Sequence, residues 1–190
     1  MNTKATLWAA IALIVMGLAG MAATTAYRQP AGVPVGMMRG DVDEMFIEEM
    51  IPHHDDAIAM AELAITRSEH PEIRQLAEEI RKSQSAENAQ MREWYREWFD
   101  ADVPDRDGSN MMDRMMGSGM DLEDLEVAEP FDKAFIEAMI PHHQMGIMMS
   151  QMAGSTTDRT ELQRLTRSII EAQSREIDEM REWYDEWYGS

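Results

Sequence analysis

Two stretches of the chain carry the same order of apolar and polar positions. Residues 46–60 read Phe-Ile-Glu-Glu-Met-Ile-Pro-His-His-Asp-Asp-Ala-Ile-Ala-Met, and residues 135–149 read Phe-Ile-Glu-Ala-Met-Ile-Pro-His-His-Gln-Met-Gly-Ile-Met-Met. At helical pitch, about 100° per residue, Met50, His53, His54, Ala57, Met60, Ala61 and Ala64 share one face. In the second stretch Met139, His142, His143, Gly146, Met149, Ser150 and Ala153 do the same. Each face is a stripe of thioethers and imidazoles, interleaved with small residues that would let a facing helix come close.

The surrounding pattern predicts four helices. Asp41 or Asp43 is placed to cap the first, with Glu44, Glu48 and Glu49 near its positive end, and the helix should run to about Ser68. Pro52 lies inside it, removes the bond to the Glu48 carbonyl and bends the axis, but points away from the His/Met face and so leaves that face uninterrupted; Pro141 repeats the arrangement. His70-Pro71 opens the second helix, with Ile73, Leu76, Ile80, Met91, Trp94 and Trp98 on its apolar side and an end near Asp100. A third should run from about Pro130 to Ala153. Asp158 and Glu161 make a capping-box-like start for a fourth, which ends at Tyr188.

A shift of 89 residues aligns 46–99 with 135–188 without a gap, and about 24 of the 54 positions are identical. Met91-Arg-Glu-Trp-Tyr95 and Trp98 recur as Met180-Arg-Glu-Trp-Tyr184 and Trp187. Two helices per copy mean a duplicated helical hairpin. One hairpin buries its apolar face poorly, whereas two can pack as an all-α four-helix bundle, with the His/Met helices related by a pseudo-twofold axis. Repeat one is set at 41–100, a long linker at 101–129, and repeat two at 130–190. Residues 27–40, with their glycine and proline turn signals and the pair Met37-Met38, read as a flexible lead-in.

Ahead of these, Lys4 precedes an apolar run from Ala5 to Ala23. It reads as an export segment, residues 1–26, cleaved before Tyr27 after the small residues Thr24 and Ala26. Alternatively it stays as a membrane anchor, the one membrane contact expected. In both cases the remainder lies outside the cytoplasm, periplasmic or secreted.

Composition narrows the chemistry. A net charge of −19 excludes nucleic acid as a partner and attracts cations. The absence of cysteine excludes disulfides, thiolate metal sites and cysteine nucleophiles. Twenty methionines exceed ordinary use as core filler. Thioether sulfur selects Cu(I) and, by the same softness, Ag(I), while imidazole suits Cu(I), Cu(II) and zinc. Met50, His53, His54 and Met60 thus offer a copper-type donor set, and Met139, His142, His143 and Met149 offer another. Met145, Met148 and Met152 add a stripe found only in the second copy. The plain alternative is core filling by methionine around hydrogen-bonded histidines. In the linker, Met111, Met112, Met115, Met116 and Met120 sit among glycine, serine and aspartate without helical period, a loop able to wrap sulfurs around one ion. The pairs Trp94/Trp98 and Trp183/Trp187 read as aromatic caps on the core, and His70 as an exposed helix-start residue.

Catalytic templates find little support. A di-iron bundle needs Glu-x-x-His, but Met50, Ile51, Met139 and Ile140 stand three residues before the helical histidines. No Ser/His/Asp arrangement or phosphate-binding glycine loop is legible.

The duplicated Phe-Ile-Glu-x-Met-Ile-Pro-His-His motif, with Met six residues beyond the second His, resembles a bacterial family labelled as a domain of unknown function. That family includes extracytoplasmic copper-resistance proteins of the M type. The resemblance covers about 41–190 and implies a ferritin-like four-helix bundle binding copper, and silver, outside the cytoplasm. Its matching positions are Met50, His53, His54 and Met60, then Met139, His142, His143 and Met149. The first copy has Asp55-Asp56 where the second has Gln144-Met145, so the halves need not bind alike. The resulting expectation is a non-enzymatic copper-binding protein for sequestration, tolerance or transfer, with a copper transporter or chaperone as candidate partner. Its rivals are a metal-free structural or interaction bundle and a copper-dependent oxidase.

Overall fold

The computed structural model describes residues 35–105 and 122–189, with side chains from residue 42 onward. These form five helices: α1 (Val35–Arg67), α2 (Pro71–Phe99), α3 (Leu122–Val127), α4 (Phe131–Thr156) and α5 (Thr160–Tyr188). No strand occurs among the described residues. The four long helices form the bundle: α1 packs on α2, α4 on α5, and α1 faces α4, with short α3 laid against α4 and α1. The apolar run at 5–23 and the methionines at 111–120 lie outside the described residues. Among those described, no helix is long and apolar enough to cross a membrane.

The helix boundaries follow the sequence except where tertiary contacts override a local signal. α1 starts at Val35, so the first helix takes in part of the expected lead-in despite Gly36 and Gly40. Each glycine costs a helix only about 1 kcal/mol relative to alanine, and neither ends α1. Asp43 is therefore not a cap. It is buried within α1 and accepts from Arg159 Nε at 3.2 Å. Asp158 is not the cap of α5 either: Arg159 holds that position without a side-chain cap bond, and its N–H donates to the Thr157 hydroxyl. α3 turns the end of the expected linker into a helical segment, anchored by the fully buried Leu125. Pro52 and Pro141 are both accommodated within continuous helices.

All seven side chains expected on the α1 face are buried. The same holds for the α4 face apart from His142, which as a residue is partly exposed although both of its ring nitrogens are buried. The apolar core divides into two clusters. One holds Met60, Ile73, Ile80, Leu125, Phe135, Met139, Ile177 and Met180. The other holds Phe46, Met50, Ile51, Met91, Tyr95, Met149, Leu162 and Ile169. Along every long helix the two clusters are separated by polar residues: His53 and His54 on α1, and Gln84 and Asn88 on α2. On α4 they are His142 and His143, and on α5 Gln173 and Glu176. The bundle thus carries a polar belt at its waist.

The ends of the bundle are closed by matched devices 89 residues apart. At one, Asp132 accepts from the Glu69 and His70 amides and, at 2.6 Å, from His70 Nδ1, while the His70 ring stacks on Trp187 at 3.7 Å. At the other, Arg159 replaces His70: its guanidinium lies 4.1 Å over Trp98 and pairs with Asp43. His70, expected to be exposed, is in fact a half-buried tie between the start of α2 and α4. The tryptophan pairs are stacked and packed against the two core clusters, as caps should be.

Candidate metal centre

Four imidazoles meet in the belt because each Pro-His-His run sits mid-helix, where α1 faces α4. The small residues Ala57, Ala61, Gly146 and Ser150 let those helices approach. The His53 and His142 rings lie 3.8 Å apart, tilted by 30°. His54 stands 6.3 Å from His53, and His143 stands 6.2 Å from His142. A Cβ on Gly146 would come within 2.5 Å of Gln173 Oε1 and 3.1 Å of His53 Cε1, so a larger residue would require both side chains to shift.

Hydrogen bonds assign one nitrogen of three rings. His54 Nε2–H donates to Glu87 Oε2 at 2.8 Å, and His143 Nε2–H donates to Glu176 Oε2 at 2.7 Å, since a carboxylate can only accept. His53 Nε2–H donates to the His142 carbonyl at 3.2 Å. The remaining nitrogens, Nδ1 of His53, His54 and His143 and both of His142, are buried without a partner among the described residues. Buried polar atoms are nearly always satisfied, so five in one place call for a partner, water or an ion, that the described residues do not supply. The environment also disfavours positive charge. Burial, reinforced by the neighbouring imidazoles, holds His53 well below the usual histidine range and His142 at about 3. Both rings are therefore neutral, the form that ligates metal.

The methionines flank this belt. Met50 and Met149 belong to one apolar cluster, with Met145 packed against it; Met60 and Met139 belong to the other. Each side therefore draws thioethers from both α1 and α4, whereas the sequence arranged them helix by helix. Met152, expected in the extra stripe, is exposed. Asp55 is also outside it, engaged by the Asn88 amide at 2.7 Å and by Arg92. The Asp55/Gln144 difference between copies is thus a surface difference, whereas the Met145 difference adds sulfur beside Met50 and Met149. Among the described residues no three imidazoles or carboxylates converge tightly enough to hold an ion alone. Sulfur is what the donor set has left to add, and that fits a soft ion better than zinc or iron. Glu87, Glu176 and Gln173 were not expected at this site. Their signal was identity between the copies (Glu87/Glu176 and Gln84/Gln173) on the belt-facing side of the second helix of each hairpin.

Comparison with known proteins supports the helical-bundle fold. Residues 43–184 match the family described as a domain of unknown function, DUF305. The fold is similar to that of CopM, solved in Cu(I)-, Cu(II)- and silver-bound forms. The Cu(I) form is 44% identical with a TM-score of 0.69, covering 77% of this chain and 98% of that one. It is also similar to a DUF305 fragment from Deinococcus radiodurans, 28% identical with a TM-score of 0.65 and covering 74% and 93% of the two chains. An uncharacterised protein of Acanthamoeba polyphaga mimivirus is 40% identical over 55 residues, 29% of this chain and only 36% of that protein.

Proposed function

This chain belongs to the DUF305 family, and from that premise we propose that it is an exported copper-binding protein whose ion sits in the histidine belt. The observation that carries the proposal is the set of five unpartnered, buried imidazole nitrogens between methionines contributed by two helices. Met50, His53, His54, Met60, Met139, His142, His143, Met145 and Met149 are the donors, with Cu(I) favoured by the sulfur and Cu(II) or Ag(I) also accepted. The likeness to CopM, solved with all three ions, supports this reading. Met111, Met112, Met115 and Met116 supply a separate capture segment for copper. Residues 1–26 direct export, and the protein sequesters copper or passes it to a transporter or chaperone without chemical turnover.

The test is unfolding of the full chain with and without Cu(I) under reducing, anaerobic conditions. An ion bound only by the native bundle at about 100 times its Kd adds roughly 2.7 kcal/mol of stability. A structural bundle that binds no metal unfolds identically in both samples, and an oxidase turns over Cu(I) when oxygen is admitted.

A further inference from the structure

His54 and His143 are fully buried, and each meets one carboxylate from the neighbouring helix of its own hairpin, Glu87 on α2 and Glu176 on α5. Both pairs are separated by 33 residues. Between the two copies the positions around these glutamates differ: Ala86 becomes Arg175, Asn88 becomes Ile177 and Ala89 becomes Asp178. The glutamate itself is the same in both.

We propose that Glu87 and Glu176 are positioning residues that fix the Nε2–H tautomer of His54 and His143 and so make Nδ1 the metal-binding atom of both rings. This rests on the metal reading above. The alternative tautomer would set an Nε2 lone pair against a carboxylate oxygen at 2.7–2.8 Å and would bury an Nδ1–H donor with no acceptor. The observed tautomer instead gives Nε2–H its acceptor and leaves Nδ1 with a free lone pair. A carboxylate on the distal nitrogen also orients a ligating imidazole and raises its basicity. Glu176 is the more deeply buried, with 7% of its side chain exposed against 19% for Glu87, and water competes less for it. It is therefore the stronger of the two holds.

The test is nitrogen NMR of the histidine rings in the full chain, without metal and with Ag(I), a diamagnetic soft ion. Without metal, His54 and His143 should show a protonated Nε2 and a bare Nδ1; with Ag(I), the Nδ1 signals should move while the Nε2–H signals persist. Glu176→Gln keeps a carbonyl acceptor and should keep this pattern. Glu176→Leu should mix the tautomers of His143 and weaken Ag(I) binding by about 10- to 100-fold, with Glu87→Leu acting likewise, but less strongly, on His54. Circular dichroism of the leucine variants checks that the bundle persists, and the tautomers and silver-induced shifts of the wild type carry the test if it does not. An Nδ1–H tautomer in the metal-free wild type, or silver that moves Nε2 instead, overturns the role of the carboxylates alone. Expected tautomers with no silver-induced change at any histidine overturn the metal reading and this role with it.

Discussion

His53 and His142 stand 89 residues apart in sequence, yet their rings lie 3.8 Å from one another at the waist of the bundle, and His53 Nε2–H donates to the His142 carbonyl. Two imidazoles so close, in a setting that keeps both neutral, are costly for a bundle that needs only to fold. In the proposed site the same contact would offer a metal ion donors from both hairpins at once.

The first consequence is acid sensitivity of the metal-free protein. Both histidines titrate below 6.5 in the folded state, His142 at about 3, while unfolded histidine titrates near 6.5. Between these values the unfolded chain holds more protons than the native one, so stability falls as pH falls. The loss should begin near pH 6.5, approach a slope of about 1.4 kcal/mol per pH unit for each histidine, and for His142 level off below about pH 3. Urea unfolding at pH 7.5, 6 and 5 reads this directly; a midpoint that does not move contradicts the burial of these rings.

His143→Ala should destabilise the metal-free bundle by about 3 kcal/mol, because it strands the Glu176 carboxylate in a buried site. His54→Ala should cost less, since Glu87 retains more contact with water. Equal losses in chemical denaturation would mean that the two pairs are not buried to different depths.

Gly146→Ala would ordinarily stabilise a helix by about 1 kcal/mol. Here the added Cβ meets the Gln173 amide and the His53 ring, so a net loss of about 1–3 kcal/mol is expected instead. Gln173→Ala in the same chain should recover most of it in a double-mutant cycle. A neutral or stabilising single substitution would show that α4 can shift away.

At the bundle end, Asp132→Ala removes the acceptor of three N–H donors and should cost about 2–3 kcal/mol. His70→Arg copies the arrangement that Arg159 makes with Asp43 and Trp98, and should stay within about 0.5 kcal/mol of wild type. Thermal melts of the two variants separate a structural tie from a site with another purpose.

The bundle and its buried face were legible because the 89-residue repeat and the 3.6-residue period carry that information in the chain itself. Asp43 and Asp158 misled because a capping residue is recognised locally, whereas Asp43 answers to Arg159 across the bundle. His70 was misjudged for the same reason, since Trp187 and Asp132 come from other helices. The proposed donors could be named from the sequence only as a list. Their grouping was not legible, because pairing Met50 with Met149 and Met60 with Met139 follows from how α1 faces α4. Glu87 and Glu176 escaped notice because an acidic residue on a helix is ordinarily a solvated one.

The most direct test is a Cu(I) titration of the full chain against a competing chromophoric chelator. It is run beside one variant with His53, His54, His142 and His143 replaced by glutamine, and another with Met111, Met112, Met115 and Met116 replaced by leucine. Copper held in the belt requires tight binding that is lost in the histidine variant and persists in the methionine variant. Tight binding that survives loss of all four histidines would contradict it and move the ion to the linker.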